Sequence, residues 1–331
     1  MWNITQCAVQ GRGHIKENIP CQDKTYFIKS GNVEVISLAD GAGSAKLSHY
    51  GAETVTKYIC SEFVENFDNY YEERSGAKVK EIILAGIVKI LKLKSEELKC
   101  EFKDLASTLL VVAIKEEKFI ICHIGDGVIG YLKNSILKIA SYPENGEFVN
   151  TTTFTTSENA IATMNMIKGT LGEIEAFILM SDGTEASFYN KKERMLADII
   201  KKIMELSILF SKDKMEEKLY DSFKNVVTKK TLDDCSLIMI VKNKSGFKGY
   251  MKLSMREKIK LLHLNKKATK RQVKRYDKIL LLLKKEYSLK KIAKFLHLKP
   301  KYTKKYLFKL CVLNLIENRN DMYKTTVFIG K

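Results

Sequence analysis

The chain has 331 residues, 45% of them apolar, so it can bury a substantial core, and its longest apolar runs are too short to cross a bilayer. Its 57 lysines and arginines exceed its 39 acidic residues, but this excess is not evenly spread. Residues 251–331 hold 24 basic and 5 acidic side chains, a net charge of +19, whereas residues 1–250 hold 33 basic and 34 acidic side chains. These features exclude a largely disordered chain and predict two domains that meet different partners.

The domain boundary is predicted in a polar, glycine-containing stretch at residues 242–254. We therefore expect a large domain over residues 1–242, a linker over 243–254 and a basic domain over 255–331. The N-terminus lacks the basic start and apolar stretch of a signal peptide, so a cytoplasmic location without a membrane partner is expected. Seven scattered cysteines without a CxxC pair argue against a disulfide framework or a zinc site.

The first elements along the chain are strands, predicted at residues 2–9 and 24–28, and a buried strand at 32–40 that ends at Asp40. Directly after Asp40 the apolar residues change to helical spacing, and a second amphipathic helix is predicted over residues 79–99. Three further strands, with turn signals between them, are predicted as antiparallel neighbours over residues 107–115, 118–126 and 127–134.

The pattern of a buried strand that ends at an acid recurs at residues 175–183, which include Asp182. A helical region is predicted from residue 191 to 229, and acids then precede a last strand at residues 232–242. Many strands with clustered helix pairs, and no regular strand and helix alternation, favour the α+β class over a parallel sheet.

Acidic residues at strand ends are the candidates for chemistry. Three of them precede glycine, which permits a tight turn and close approach to the carboxylate. A single Asp-Gly pair is more often an ordinary turn. Several carboxylates that converge at one sheet edge would instead require a cation, and oxygen ligands favour Mg²⁺ or Mn²⁺. The candidates are Asp23, Asp40, Asp126, Asp182 and either Asp233 or Asp234.

The ordered set of motifs resembles the metal-dependent protein phosphatases of the protein phosphatase 2C type, over roughly residues 2–241. The segments that carry the resemblance are GRGHIKENIPCQD, LADGAGSAKLSHYGA, STLLVVAI, HIGDGVIGYL, ILMSDGTEAS and DDCSLIMIV. The resemblance implies a fold of two antiparallel β-sheets sandwiched between helix pairs. It also implies hydrolysis of phosphoserine and phosphothreonine in proteins by a water that bridges two metal ions.

The resemblance further implies a ligand set for two or three Mn²⁺ or Mg²⁺ ions. Asp40 would bridge two metals and act with Asp182 in catalysis, and the carbonyl of Gly41 would be a further ligand. Asp23 would act mostly through water, and Asp126 would help to hold a third, weaker metal. In the last motif we choose Asp233 as the ligand, since Asp234 then stands where the family usually has Asn.

The chain departs from the family pattern in the part of the motif set that binds phosphate. The position of the usual phosphate-binding Arg is Asn18 here, and Arg12, His14 or Lys16 are the replacements nearby, of which we predict Arg12 and His14. His14 is equally well explained as a structural turn residue. Other departures are Ala42, where some relatives have a His that protonates the leaving group, and Gly127, where Ser is usual.

The basic domain is predicted to contain helices at residues 255–265 and 272–286, then a helix-turn-helix pattern and two strands around residues 317–321. Ser288 is the predicted N-cap of the first helix of the pair, and Pro300 begins the second. The whole resembles a small, mainly α, winged-helix domain. Outward lysines at Lys301, Lys304 and Lys305 would neutralise nucleic-acid phosphates, and the alternative is a solvated lysine face on a protein-binding module.

Two functions remain open at this point. In the first, the chain is an enzyme that acts on a phosphorylated protein, with a cognate serine/threonine kinase or its targets as partners and a tail that localises it. In the second, the tail binds DNA. The large domain, whose catalytic activity is weakened by Asn18 and Ala42, then senses phosphoproteins without hydrolysing them.

Overall fold

The computed structural model describes residues 2–144, 152–210, 212–242, 250, 253–262, 264, 270–312 and 315–325. The chain divides into two compact units. The first contains Trp2–Met204 and Glu216–Lys242, and the second contains Glu205–Met215 together with the described residues from Tyr250 onward. The predicted division at residue 242 did not anticipate that Glu205–Met215 belongs with the second unit, and most of the predicted linker lies outside the described residues.

The first unit contains most of the strands and the two long helices. The strands are β1 (Trp2–Val9), β2 (Lys24–Ser30), β3 (Val33–Ala39), β4 (Leu109–Lys115), β5 (Lys118–Ile124), β6 (Val128–Lys133), β7 (Ile136–Ser141), β8 (Asn165–Thr170), β9 (Ile174–Met180), β10 (Tyr189–Asn190), β11 (Met195–Leu196) and β12 (Cys235–Lys242). The helices are α1 (Arg12–Glu17), α2 (Ser48–Glu72), α3 (Gly76–Leu98), α4 (Ala160–Thr163), α5 (Glu185–Phe188), α6 (Ile199–Leu209) and α7 (Lys212–Ser222), of which α6 and α7 contribute to both units.

Ten of these strands form two five-stranded sheets, in the orders β1-β12-β9-β6-β7 and β2-β3-β4-β5-β8. All the pairings are antiparallel, from Trp2 opposite Lys242 in the first sheet to Lys24 opposite Ala39 in the second. The predicted α+β class with antiparallel sheets is therefore confirmed.

Two layers of apolar side chains hold this unit together. The layer between the sheets takes side chains from both, such as Leu38 and Leu110 from one and Leu179 and Ile238 from the other, all fully buried. The second layer lies between the outer face of the β2–β8 sheet and helices α2 and α3. In α3 the fully buried residues recur every fourth position, which is the spacing of one helix face; they are Val79, Ile83, Ile87 and Leu91.

The structure differs from the sequence-based elements in two places near the acids. The helical spacing predicted directly after Asp40 begins only at Ser48, because residues 41–47 form a loop bonded to the next strand connection through Ala42 N–H to Ala106 O, at 2.9 Å. The helical prediction from residue 191 was wrong at its start. Residues 191–194 turn between β10 and β11 instead, and Arg194 has a φ of +53°, which no helix permits.

The second unit contains helices α8 (Met255–Leu261), α9 (Lys270–Leu282), α10 (Leu289–Phe295) and α11 (Pro300–Val312). Its strands β13 (Tyr287–Ser288), β14 (Ile316–Arg319) and β15 (Met322–Thr325) form a sheet in the order β13-β15-β14. Buried side chains of α9, α10 and α11, with Leu206 partly buried against them, make its core. Ser288 stands at the predicted N-cap of α10, but its side chain makes no capping hydrogen bond.

All seven cysteines are free thiols. Within the described ranges, no helix combines the length and the apolar character needed to cross a membrane.

Candidate active site

The predicted acids lie at the ends of strands from both sheets. Asp40 follows β3 directly, Asp23 immediately precedes β2, and Asp126 lies between β5 and β6. Asp182 follows β9 by one residue, and Asp233 comes shortly before β12. Since β3 belongs to one sheet and β9 and β12 to the other, the sandwich brings together acids that are far apart in the sequence.

The acids lie close enough together to raise one another's pKa values. Burial raises the pKa of Asp40 well above its ordinary value, and the negative charges of Asp23, Asp182 and Asp233 raise it further. Burial, followed by the charge of Asp234, raises the pKa of Asp23 to about 7. Burial, followed by the charges of Asp126 and Asp233, raises the pKa of Asp182 to about 6. Carboxyl groups that repel one another in this way form a site for positive charge.

A network through Ser181 fixes Asp23. The hydroxyl of Ser181 donates to Asp23 Oδ2 at 2.8 Å and accepts from the backbone N–H of Ser236 at 3.0 Å. The start of β2 is therefore tied to the end of β9 and the start of β12, so the acid before β2 is positioned by both sheets.

Thr108 positions Asp40 by two hydrogen bonds to the backbone of Asp40. The N–H of Asp40 donates to Thr108 Oγ1 at 2.9 Å, and the N–H of Thr108 donates to the Asp40 carbonyl at 2.8 Å. The following residue, Gly41, is buried and bridges to Ser107. A Cβ at residue 41 would lie 2.7 Å from Ser48 Oγ, so only glycine fits between Asp40 and the start of α2.

The structure gives Asp233 and Asp234 different surroundings. Asp234 is 1% exposed and accepts the backbone N–H groups of Gly11 at 2.7 Å and Gln22 at 2.5 Å, one on each oxygen. The side chain of Asp233 is 48% exposed and adds to the charge that raises the pKa values of Asp40 and Asp182. This geometry favours Asp233 as the ligand, and Asp234 connects the loops on either side of α1.

The donor set fits a hard divalent cation. Asp23 Oδ1 and Asp182 Oδ1 are buried and have no hydrogen-bond partner, a costly state that a bound cation would relieve. Carboxylate oxygens are the ligands that Mg²⁺ and Mn²⁺ prefer. Among the described residues no three acidic, His or Cys side chains already stand in a preformed metal cluster. The charge of Asp182 raises the pKa of Asp40, and a bound cation would offset that repulsion.

The two residues predicted to bind phosphate have other partners. The guanidinium of Arg12 donates to the carbonyls of Lys229 at 3.0 Å and Thr231 at 3.2 Å, on the exposed surface. His14 Nδ1 lies 3.0 Å from Asp234 Oδ2, outside hydrogen-bond geometry, and its Nε2 lies 4.0 Å from Asp233 Oδ1.

The departures from the family pattern have local structural reasons. Asn18 ends α1 with a φ of +57°, a conformation that Asn tolerates far better than Arg. Ala42 is buried against Ala45 and Ala106. At Gly127 a Cβ would lie 2.8 Å from the Met180 carbonyl, so the Ser of other family members would require a shift of the backbone.

A pocket of about 330 Å³ beside Asp126 and Asp182 contains residues that the sequence analysis missed. Lys191 is paired with Glu185 there, and the Arg194 guanidinium lies 4.1 Å from the centre of the Tyr142 ring. The basic cluster Lys191, Lys192 and Arg194 was the available signal, but these residues were assigned to the start of a helix. In the structure the turn between β10 and β11 places two of these cations beside the acids.

Cys122, which directly precedes the motif of Asp126, is not a nucleophile. Cys122 is fully buried in β5, and burial raises the pKa of its thiol to about 12, so it carries no thiolate near neutral pH.

Comparison with known proteins agrees with this site. The family model of protein phosphatase 2C matches residues 10–224, more than half of the chain. The chain belongs to the protein phosphatase 2C family. It is also 23% identical over 189 residues to serine/threonine-protein phosphatase 3 of Escherichia coli (strain K12), a match that covers 56% of this chain and 74% of that protein.

Solved structures show the same fold as the first unit. Stp1, a serine/threonine phosphatase from Staphylococcus aureus, aligns with a TM-score of 0.51 at 15% identity, over 73% of this chain and 95% of that one. The S. agalactiae serine/threonine phosphatase aligns with a TM-score of 0.50 at 15% identity, over 73% and 100%. The predicted enzyme class, a serine/threonine protein phosphatase, is confirmed by the family and the curated relative. The family match ends before Asp233 and before the described residues from Tyr250 onward.

Proposed function

We propose that this protein phosphatase 2C member hydrolyses phosphoserine and phosphothreonine in proteins, and that its substrates are a cognate serine/threonine kinase or the targets of that kinase. The observation that carries the proposal is the convergence of acids from four strand ends, with the pKa values of Asp40, Asp23 and Asp182 raised by burial and mutual repulsion. A cluster of this kind is unfavourable without cations and suited to holding them.

Two cations would be held by Asp40, the adjacent Gly41, Asp182 and Asp233, with Asp23 behind them, and a third by Asp126. When bound, divalent cations lower the pKa of water and neutralise phosphoryl oxygens, which is the chemistry that phosphate ester hydrolysis needs. The role of the chain is to fix the carboxylates, and the bonds from Ser181 and Thr108 support that role.

The phosphate of the substrate would be bound by Lys191 and Arg194, rather than by Arg12 and His14. The two cations line the pocket that also contains Asp126 and Asp182, whereas Arg12 donates to backbone carbonyls and His14 lies beside Asp234. Arg suits this task because its planar guanidinium can donate two parallel bonds to a phosphate.

The enzyme proposal is tested by phosphate release from a phosphothreonine peptide in the presence of Mn²⁺. We expect activity in the wild type and a loss of at least a thousandfold in Asp40→Ala and Asp182→Ala. Equal background rates in all three proteins would refute the enzyme and leave a phosphoprotein sensor as the better account.

We propose further that the second unit is a winged helix-turn-helix that binds nucleic acid. Its order of elements, with α10 and α11 joined by a short turn and followed by the β14–β15 pair, supports this reading. On α11, Lys301, Lys304 and Lys305 are exposed while Leu307 and Leu310 are fully buried, so the lysines form the outer face. Lysines in this arrangement give affinity for phosphates without reading a base sequence.

Binding of the full chain to a 20-base-pair duplex at two salt concentrations tests this second proposal. We expect affinity to fall steeply with salt, and to fall less steeply when Lys301, Lys304 and Lys305 are all changed to Gln. Binding that is insensitive to salt, or absent, would leave a protein-docking module instead.

A further inference from the structure

The second unit has a groove of about 960 Å³ that does not include the lysines of α11. It runs along α9, past the start of β13, to the turn after α10. Its lining is basic and apolar: Lys270, Arg271, Lys274, Arg275, Lys278 and Lys285 are among the cations, with Leu281, Tyr287 and Phe295 among the apolar groups.

The cations of the groove are arranged for a partner outside the chain. Lys270, Lys274 and Lys278 are exposed and recur every fourth residue, which places them on one face of α9, about 6 Å apart along its axis. None of these three forms an ion pair with an acid among the described residues, and no acid lines the groove. Asp277, the acid of α9, bonds to Lys258 and Tyr250 instead.

The apolar part of the groove is exposed as well. Phe295 is 66% and Leu281 41% exposed, although both are large apolar side chains. Tyr287 is half-buried, and Lys291 lies 4.8 Å from the centre of its ring, which adds a cation beside the groove. The groove therefore offers a partner both positive charge and an exposed aromatic ring on which a flat group can stack.

We infer that this groove binds single-stranded nucleic acid. A single strand presents a continuous line of phosphates together with unstacked bases, and these match the row of lysines and the open ring of Phe295. A duplex keeps its bases stacked inside and would leave Phe295 without a partner. An acidic peptide would match the charge but has no flat rings in a regular series.

This inference rests on the proposed role of the second unit in binding nucleic acid, and it adds a second surface and the kind of strand that binds there. The two surfaces are distinguishable because they use different residues. The groove has Lys270, Lys274 and Lys278, and the α11 face has Lys301, Lys304 and Lys305.

The test uses the full chain and three fluorescent probes: a 20-nucleotide single strand of mixed sequence, a 20-base-pair duplex and polyglutamate. The groove variant changes Lys270, Lys274 and Lys278 to Gln, and the matched control changes Lys301, Lys304 and Lys305 to Gln. A second pair is Phe295→Ala and, as its control, Phe308→Ala, since Phe308 is 70% exposed on α11 and does not line the groove.

We expect the groove variant to bind the single strand at least tenfold more weakly, with the slope of log K against log salt reduced by about 2, the value for three phosphate contacts. Phe295→Ala should weaken binding of the single strand about tenfold, because stacking of a base on an aromatic ring contributes about that much to affinity. It should leave binding of the duplex nearly unchanged. Phe308→Ala should bind the single strand as the wild type does.

Three results would overturn the inference. Unchanged single-strand affinity in the groove variant, with a loss only in the α11 variant, would refute the groove and leave the α11 surface standing. Polyglutamate or the duplex binding the groove as tightly as the single strand would refute the assigned partner. Absence of salt-sensitive binding by the wild type to either nucleic acid would refute the proposed tail function together with the groove.

Discussion

The carboxyl groups of Asp40 and Asp182 lie close to one another, although Asp40 follows β3 in one sheet and Asp182 follows β9 in the other. Burial and the neighbouring negative charges, including that of Asp182, raise the pKa of Asp40, so this carboxyl keeps its proton to a higher pH than an exposed aspartate does. A bound cation would balance the same charges in place of protons. The site should therefore exchange protons for metal ions, and this exchange can be measured without any substrate.

The first prediction concerns stability without metal. Asp40→Asn removes a buried ionisable group from a cluster of carboxyls that repel one another. It should raise the free energy of unfolding of the metal-free protein by about 1–2 kcal/mol, which corresponds to a rise of about 2–8 °C in its melting temperature. It should also abolish the further rise that Mn²⁺ gives the wild type. Trp2 is the single tryptophan and lies in β1, so its fluorescence reports the first unit.

The control for this prediction is Asp221→Asn, which removes an exposed carboxylate of α7. It should leave both the melting temperature and the effect of Mn²⁺ unchanged. A metal-free Asp40→Asn protein that melts below the wild type would contradict the account of mutual repulsion.

The second prediction concerns pH. The folded-state pKa of Asp23 is about 7 and that of Asp182 is about 6, against an ordinary value of 3.8. Between pH 3.8 and these raised values, the folded protein therefore binds more protons than the unfolded chain. The metal-free protein is then most stable at low pH with respect to these groups, and it loses that stability as pH rises from about 4 to 7. We expect the melting temperature followed by Trp2 to fall over this range.

Mn²⁺ competes with the same protons, so its stabilising effect should grow from pH 5 to pH 8. Asp23→Asn should flatten the pH dependence of the metal-free protein. A stability of the first unit that rises from pH 5 to 7 without metal, and does so equally in this variant, would show that these carboxyls do not titrate as described.

The third prediction concerns Asp234. Each of its oxygens accepts a backbone N–H, from Gly11 and from Gln22, and Asn offers only one acceptor. Asp234→Asn should therefore destabilise the first unit by about 1–3 kcal/mol, although Asn is common at this position in the family. The urea midpoint followed by Trp2 measures this change, and a midpoint equal to that of the wild type would show that the two bonds contribute nothing.

The fourth prediction concerns the phosphate of the substrate. Arg194→Ala should raise KM for a phosphothreonine peptide about tenfold, and Arg194→Lys should recover part of that loss, since Lys keeps the charge but not the paired donors. Mn²⁺ binding should stay as in the wild type. Lys192→Ala is the matched control, because Lys192 is exposed on the same turn but does not line the pocket. An equal KM in the Arg194 and Lys192 variants would exclude Arg194 from phosphate binding.

Much of the fold could be predicted because each strand has a strong local signal. The strand predicted at residues 2–9 is β1 to the residue, and the strand ending at Asp40 is β3. The paired sheets came from the family resemblance, since which strands lie side by side depends on contacts between residues far apart in the chain. The β10–β11 turn was missed because its residues 191–194 are polar and have no period of their own.

The candidate site could likewise be predicted only in part from the sequence. The proximity of Asp40 and Asp182 to strand ends was predictable because each follows an apolar run, whereas Asp23 and Asp233 precede their strands and were chosen from the family motifs. The choice of Asp233 over Asp234 rested on a motif, and it is supported by the burial of Asp234 against two backbone N–H groups, which no sequence pattern indicated. Lys191 and Arg194 could not be assigned, because only the folded turn places them beside Asp126.

The most direct test of the central claim is equilibrium Mn²⁺ binding by titration calorimetry at pH 8, on the wild type, Asp40→Ala, Asp182→Ala and the control Asp221→Asn. The account predicts at least two sites in the wild type and in the control. In Asp40→Ala it predicts the loss of both central sites, and in Asp182→Ala a loss of at least tenfold in affinity at one of them. Binding in Asp40→Ala with the stoichiometry and affinity of the wild type would contradict the claim that these aspartates form the metal centre.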